Sequence, residues 1–104
     1  MPNEIDLERA QREESRWRIL RVLDAGRPQP VSESLILRTL QDISLPITPH
    51  GLRRELDYLR DRGLVTLQAE DQPTWLASLT RYGVDVVEYT QACEPGIARP
   101  RKWY

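Results

Sequence analysis

The chain has 104 residues, enough for one domain with a modest core and too few for that core plus a separate catalytic unit. With 39% hydrophobic and 30% charged residues it reads as an ordinary globule, and a net charge of −1 supplies no global cationic field to draw a polyanion. Its one cysteine, Cys93, excludes an intramolecular disulfide and fits a reducing compartment. The amino terminus is charged from Glu4 onward, with no signal-peptide core, and no run reaches the length of a membrane span. The expected location is therefore the cytoplasm.

The first segment, Asn3 to Ala25, reads as one long helix. Trp17, Ile19, Leu20, Val22 and Leu23 bury its later half. Leu7 and Ala10 extend that spacing only weakly and Glu13-Glu14 interrupt it, so residues 1–16 are expected to project. Gly26 is a natural stop, and Arg27-Pro28-Gln29-Pro30 cannot continue a helix. Val31 is placed as a short strand beside a later hairpin. Ser32 caps a second helix with Leu35, Ile36, Thr39, Leu40 and Ile43 on its buried side.

After the turn Ser44-Leu45-Pro46-Ile47, Thr48 caps a third helix with Pro49 in its first turn, where proline is best tolerated. Leu52, Leu56 and Leu59 form an inward stripe, and Gly63 ends the helix. Val65, Leu67 and Ala69 then alternate with polar neighbours, Glu70-Asp71-Gln72-Pro73 turns, and Trp75, Ala77 and Leu79 return on one face. Thr80 caps a last helix, Arg81 to Gln91. The tail, 93–104, is expected to be extended or disordered unless Ile97 or Trp103 docks. The fold class that follows is mainly α with a small β-hairpin: a winged helix–turn–helix over residues 17–92, with a three-helix core, a two-stranded wing and a C-terminal helix.

The run Leu56-Asp57-Tyr58-Leu59-Arg60-Asp61-Arg62-Gly63-Leu64-Val65, together with Leu79-Thr80-Arg81-Tyr82-Gly83, resembles the winged helix–turn–helix regulators of bacteria and their phages, especially the MarR and PadR types. The resemblance covers roughly Trp17 to Tyr89. It implies a transcription regulator that dimerises through its terminal helices and binds short palindromic operators. One departure stands out. Where such wings offer arginine or lysine to phosphate, this one has Glu70-Asp71, which would repel it.

Within that frame the third helix supplies the candidate DNA-reading residues Thr48, His50, Arg53, Arg54, Asp57 and Tyr58. Arginine suits guanine because its fork meets two acceptors at once. Arg53 alternatively forms a surface ion pair with Asp57 one turn on. His50, near a helix N-terminus, is placed to meet a phosphate or is simply solvated. Asp57 accepts from a cytosine amino group or orients Arg53, and Tyr58 stacks on a sugar or fills a protein interface. Arg99, Arg101 and Lys102 form a local basic run that adds DNA affinity or only solvates the tail. Trp17 and Trp75 read as core or interface residues.

Catalysis has no support. A nucleophile needs a base within reach, and His50 and Cys93, each the sole residue of its kind, lie in unrelated elements. Two such ligands make no zinc site, and there is no glycine-rich phosphate loop, so neither metal nor cofactor is expected. The leading expectation is a dimeric regulator of double-stranded DNA with the third helix in the major groove. The alternative is a winged-helix module that binds a protein partner through the wing and third helix, without DNA.

Overall fold

A computed structural model describes residues 5–102. It contains, in order, α1 (Leu7–Gly26), β1 (Val31–Ser32), α2 (Glu33–Asp42), α3 (Pro49–Asp61), β2 (Val65–Gln68), β3 (Leu76–Leu79) and α4 (Arg81–Val87). The three strands form an antiparallel sheet in the order β1-β3-β2, with Val31 opposite Ala77 and Val65 opposite Leu79. Four helices and this sheet are compatible with a winged helix. No helix of the described residues is long and apolar enough to cross a membrane.

Local chemistry accounts for the helix starts. Ser32, Thr48 and Thr80 sit in extended backbone, and each side chain accepts the amide of the residue three positions on: Leu35, Gly51 and Gly83. Each bond satisfies one of the donors that a helix start leaves unpaired. Asp6 does the same for α1 through the Arg9 amide. The expected start at Asn3 lies outside the described residues. At the end of α3, Gly63 takes φ 77°, and the Leu64 amide returns to the Leu59 carbonyl. Only a residue without a Cβ enters that region cheaply.

α1 runs through the middle of the packing, contacting α2, α3, α4 and the sheet. Trp17, Ile19, Leu20 and Leu23 meet Ile36 and Leu40 of α2, Leu52, Leu56 and Leu59 of α3, and Val86 of α4 in one core. Glycine at position 83 lets α4 lie against the wing root, since a Cβ there would overlap the Leu64 carbonyl.

Two expectations need correction. Leu35 and Ile43 are 54% and 48% exposed, not buried. The inward arc of α2 is centred on Ile36 and Leu40 with Leu37 beside them, one residue's rotation from the expected face. The last helix ends at Val87 rather than Gln91, because Tyr89 turns into the left-handed region at φ 64°. There its ring packs edge-on against Trp17, and its hydroxyl donates to the Pro100 carbonyl.

The segment expected as a loose tail has no helix or strand over residues 93–102, yet it is fastened. Ile97 is 8% exposed in the core, and the Ala98 amide donates to the Glu13 carbonyl. Arg99 donates from Nη1 to the carbonyls of Val86 and Gln91. Trp103, the other anchor considered, lies outside the described residues.

Candidate nucleic-acid interface

The exposed side of α3 begins at its cap. Thr48 Oγ1 accepts the Gly51 amide at 3.0 Å, and Thr48, Pro49 and His50 all face solvent. The consecutive arginines that follow point to opposite flanks. Arg54 is exposed, has no hydrogen-bond or ion-pair partner among the described residues, and lines a groove of about 300 Å³ against α1, with Arg12, Ser15 and Thr48. Arg53 turns the other way, into a groove of about 420 Å³ between α2, α3 and the wing, shared with Glu33, Leu37, His50 and Pro73.

Arg53 is bonded there through Nε and Nη2. Its Nε donates to Glu33 Oε2 at 2.8 Å, and its Nη2 donates to Glu33 Oε1 at 2.5 Å and to the Pro73 carbonyl at 2.9 Å. The guanidinium carbon lies 4.5 Å from the centre of the Trp75 ring. Hydrogen bonding from Arg53, reinforced by the Trp75 amide, holds the Glu33 carboxyl below its ordinary range against an opposing push from burial. The same bond raises Arg53. The alternative Arg53–Asp57 pair is absent among the described contacts. Asp57 instead forms an ion pair with Arg60 at 3.0 Å.

Arg60 gathers acids from two elements. Beyond Asp57 it reaches Asp61 at 3.7 Å and, on the wing tip, Glu70 at 2.8 Å. The C-terminal half of α3 and the wing tip are thus charge-compensated among themselves, so Glu70 is less repulsive to an anion than an isolated carboxylate and Arg60 is less available to one.

Tyr58 does not stand free on the outer face. Its ring is sandwiched by Arg16 at 3.6 Å and Arg62 at 3.9 Å. Arg16 also donates to Glu55 Oε1 at 2.7 Å and to the Gly96 carbonyl at 2.9 Å, so Tyr58 belongs to a network tying α1, α3 and the tail. The basic run is divided as well. Arg99 is held by two carbonyls and lies 4.3 Å over Tyr89. Lys102 lies 5.1 Å over the same ring, and Arg101 is exposed.

Of the residues singled out in the sequence, Thr48, His50 and Arg54 are exposed at the cap and in the first half of α3, Thr48 and Arg54 along the groove against α1 and His50 along the groove toward the wing. Arg53, Asp57, Tyr58 and Arg99 are bonded within the protein. Sequence reasoning missed Glu33, Arg16 and Glu55. Glu33 carries a weak local signal as an acid in a first helical turn, but that is explained by the helix dipole alone. Its partner lies twenty residues away. Among the described residues no group of three or more histidine, cysteine or acidic side chains is placed to hold a metal ion.

No family model and no curated protein matches the sequence. Among solved structures the chain is similar to RosR of H. salinarum, from crystals grown from NaBr, with 27% sequence identity and a TM-score of 0.64 over 73% of this chain and 67% of that one.

Proposed function

We propose that this protein is a small DNA-binding transcription regulator that places α3 in the major groove of a short operator. The observation that carries the reading is the open N-terminal end of α3, where the His50 and Arg54 side chains have no hydrogen-bond or ion-pair partner among the described residues and the Thr48 hydroxyl bonds only within its own helix. The likeness to RosR, a winged-helix-type transcription regulator, supports the same reading.

On this reading Arg54 reads a guanine edge or holds a phosphate, and His50, with its own amide, meets the backbone. Arg101 and Lys102 add sequence-independent attraction from the tail. Asp57 would contribute to base reading only by giving up Arg60, and Tyr58 only by leaving its two arginines, so both rank behind Arg54. A second copy would dock through the terminal helices, where Leu7 at the start of α1 and Ile5 just before it are 62% and 88% exposed.

Selection of bound duplexes from a random pool tests the proposal. Enrichment of a short motif that Arg54→Ala no longer enriches supports it; a pool that stays random over successive rounds overturns it.

The second reading is a protein-binding winged helix, favoured by the acidic wing tip at Glu70 and its pairing with Arg60. A partner with a basic surface would meet that wing directly.

A further inference from the structure

We infer that Glu33 and Arg53 form a brace that fixes the wing against the recognition helix, so that Arg53 is a positioning residue and the neighbouring Arg54 meets DNA. This inference rests on the DNA-binding reading above and divides the labour between two arginines adjacent in sequence.

Trp75 lies just before β3. The Glu33 amide donates to the Trp75 carbonyl at 2.9 Å, and the Trp75 amide donates back to Glu33 Oε1 at 2.8 Å. The β1–β3 pairing ends with Ser32 opposite Leu76, so Glu33 extends it by one residue, its side chain standing in for a backbone acceptor. From the other side, Arg53 of α3 takes both carboxylate oxygens of Glu33 and reaches the Pro73 carbonyl in the wing turn. Its guanidinium also covers the Trp75 ring. The start of α2, the middle of α3 and the returning wing segment thus converge on one carboxylate.

The brace leaves Arg53 poorly suited to DNA. Glu33 is 12% exposed and Arg53 37% exposed. Moving Arg53 onto a base would strand a nearly buried carboxylate and uncap the Pro73 carbonyl, a cost that Arg54, which has no partner among the described residues, does not incur. The Trp75 indole Nε1 is buried with no hydrogen-bond partner among the described residues. No bond of its own orients that ring, so its place depends on packing and on the guanidinium above it. A bidentate carboxylate pair fixes direction as well as distance, which is what setting the angle of a wing requires.

Two readouts on the full chain test the inference, with Glu33→Gln, Arg53→Gln and the double variant. The first needs no DNA: amide exchange at Trp75, with the Leu59 amide in the α3 core as the control for an intact fold. The brace predicts at least about tenfold faster exchange at Trp75 in both single variants while Leu59 stays protected, and partial rescue by Arg53→Lys. Unchanged Trp75 exchange in both would overturn it. The second readout is duplex affinity against salt. The brace predicts that both single variants bind about fivefold or more weakly, that the double variant is no weaker than the worse single, and that the salt slope is unchanged. If Arg53→Gln weakens binding and lowers the slope by about 0.9 while Glu33→Gln binds as well as or better than the native chain, Arg53 is a phosphate contact and the inference is wrong. If the native chain binds no duplex, the DNA-binding reading fails, and the brace stands or falls on the exchange result.

Discussion

Arg16 donates from Nε to Glu55 Oε1 at 2.7 Å, joining α1 to α3 with both side chains nearly out of water, at 13% and 7% exposed. Arg16 also holds the Gly96 carbonyl and stacks on Tyr58, so this pair anchors the tail as well as the two helices.

Removing one member of such a pair leaves the other charged and under-solvated. Glu55→Ala is expected to destabilise the fold by about 3 kcal/mol. Urea denaturation of the native chain and the variant measures it, and a loss below about 0.5 kcal/mol would show the pair to be incidental.

The docked tail makes a second prediction. Ile97 is buried in the same core as Trp17 and Val87. Ile97→Ala is expected to cost about 2 kcal/mol or more, the range for deleting a buried branched side chain. Equal denaturation midpoints for variant and native chain would mean that the tail is not part of the cooperative fold.

Gly83 offers a test of the junction between wing and α4. An added Cβ meets the Leu64 carbonyl and the Leu79 side chain, and the carbonyl belongs to backbone that is itself bonded to the Thr80 amide. Gly83→Ala should therefore destabilise by about 1–3 kcal/mol despite alanine's better helix propensity. A thermal midpoint at or above the native one contradicts this packing.

Glu33 predicts a pH signature. Its folded-state carboxyl lies below its ordinary value, through Arg53 first and the Trp75 amide after burial's opposing effect. A depressed acid contributes stability above the unfolded value, about 4.3 for glutamate, and that contribution is lost as pH falls through the lowered folded value. The stability gap between the native chain and Glu33→Gln should thus be full at neutral pH and close progressively below about pH 4.3. A gap that stays constant into acid would remove the charge on Glu33 from the account.

Cys93 should be a slow thiol. Burial raises it above its ordinary range, only partly offset by Arg99. Since the thiolate is the nucleophile, alkylation at neutral pH should run slower than for a free cysteine and speed up on denaturation. Equal rates in the folded and denatured chain would contradict that burial.

Much of this architecture was legible because its determinants are local. Ser32, Thr48 and Thr80 announce helix starts by a side chain three residues from its partner amide, and Gly63 announces a stop by its own backbone freedom. The leucine stripe of α3 has one reading, whereas α2 spreads apolar residues over a wider arc. Leu35 and Ile43 at one margin and Leu37 at the other compete for the core, and tertiary packing decided for Leu37. The candidate surface was less legible. Helical spacing put Arg53, Arg54 and Tyr58 near the outer face, but which arginine is withdrawn depends on Glu33 and Pro73, each twenty positions from Arg53. Tyr58 was hidden in the same way by Arg16, a residue of α1. The tail shows no periodicity at all, and its anchors are scattered single contacts: buried Ile97, the Gly96 and Pro100 carbonyls, the Ala98 amide and the carbonyl partners of Arg99.

The central claim is that the open end of α3 meets DNA through Arg54. Equilibrium titration of a duplex across a salt series, for the native chain and Arg54→Ala, tests it most directly. The logarithm of the native binding constant should fall linearly with the logarithm of salt, and the variant should bind more weakly with a slope shallower by about 0.9 if the lost contact is to phosphate. Arg54→Ala binding with the native affinity and slope, or no native binding even at low salt, would contradict it.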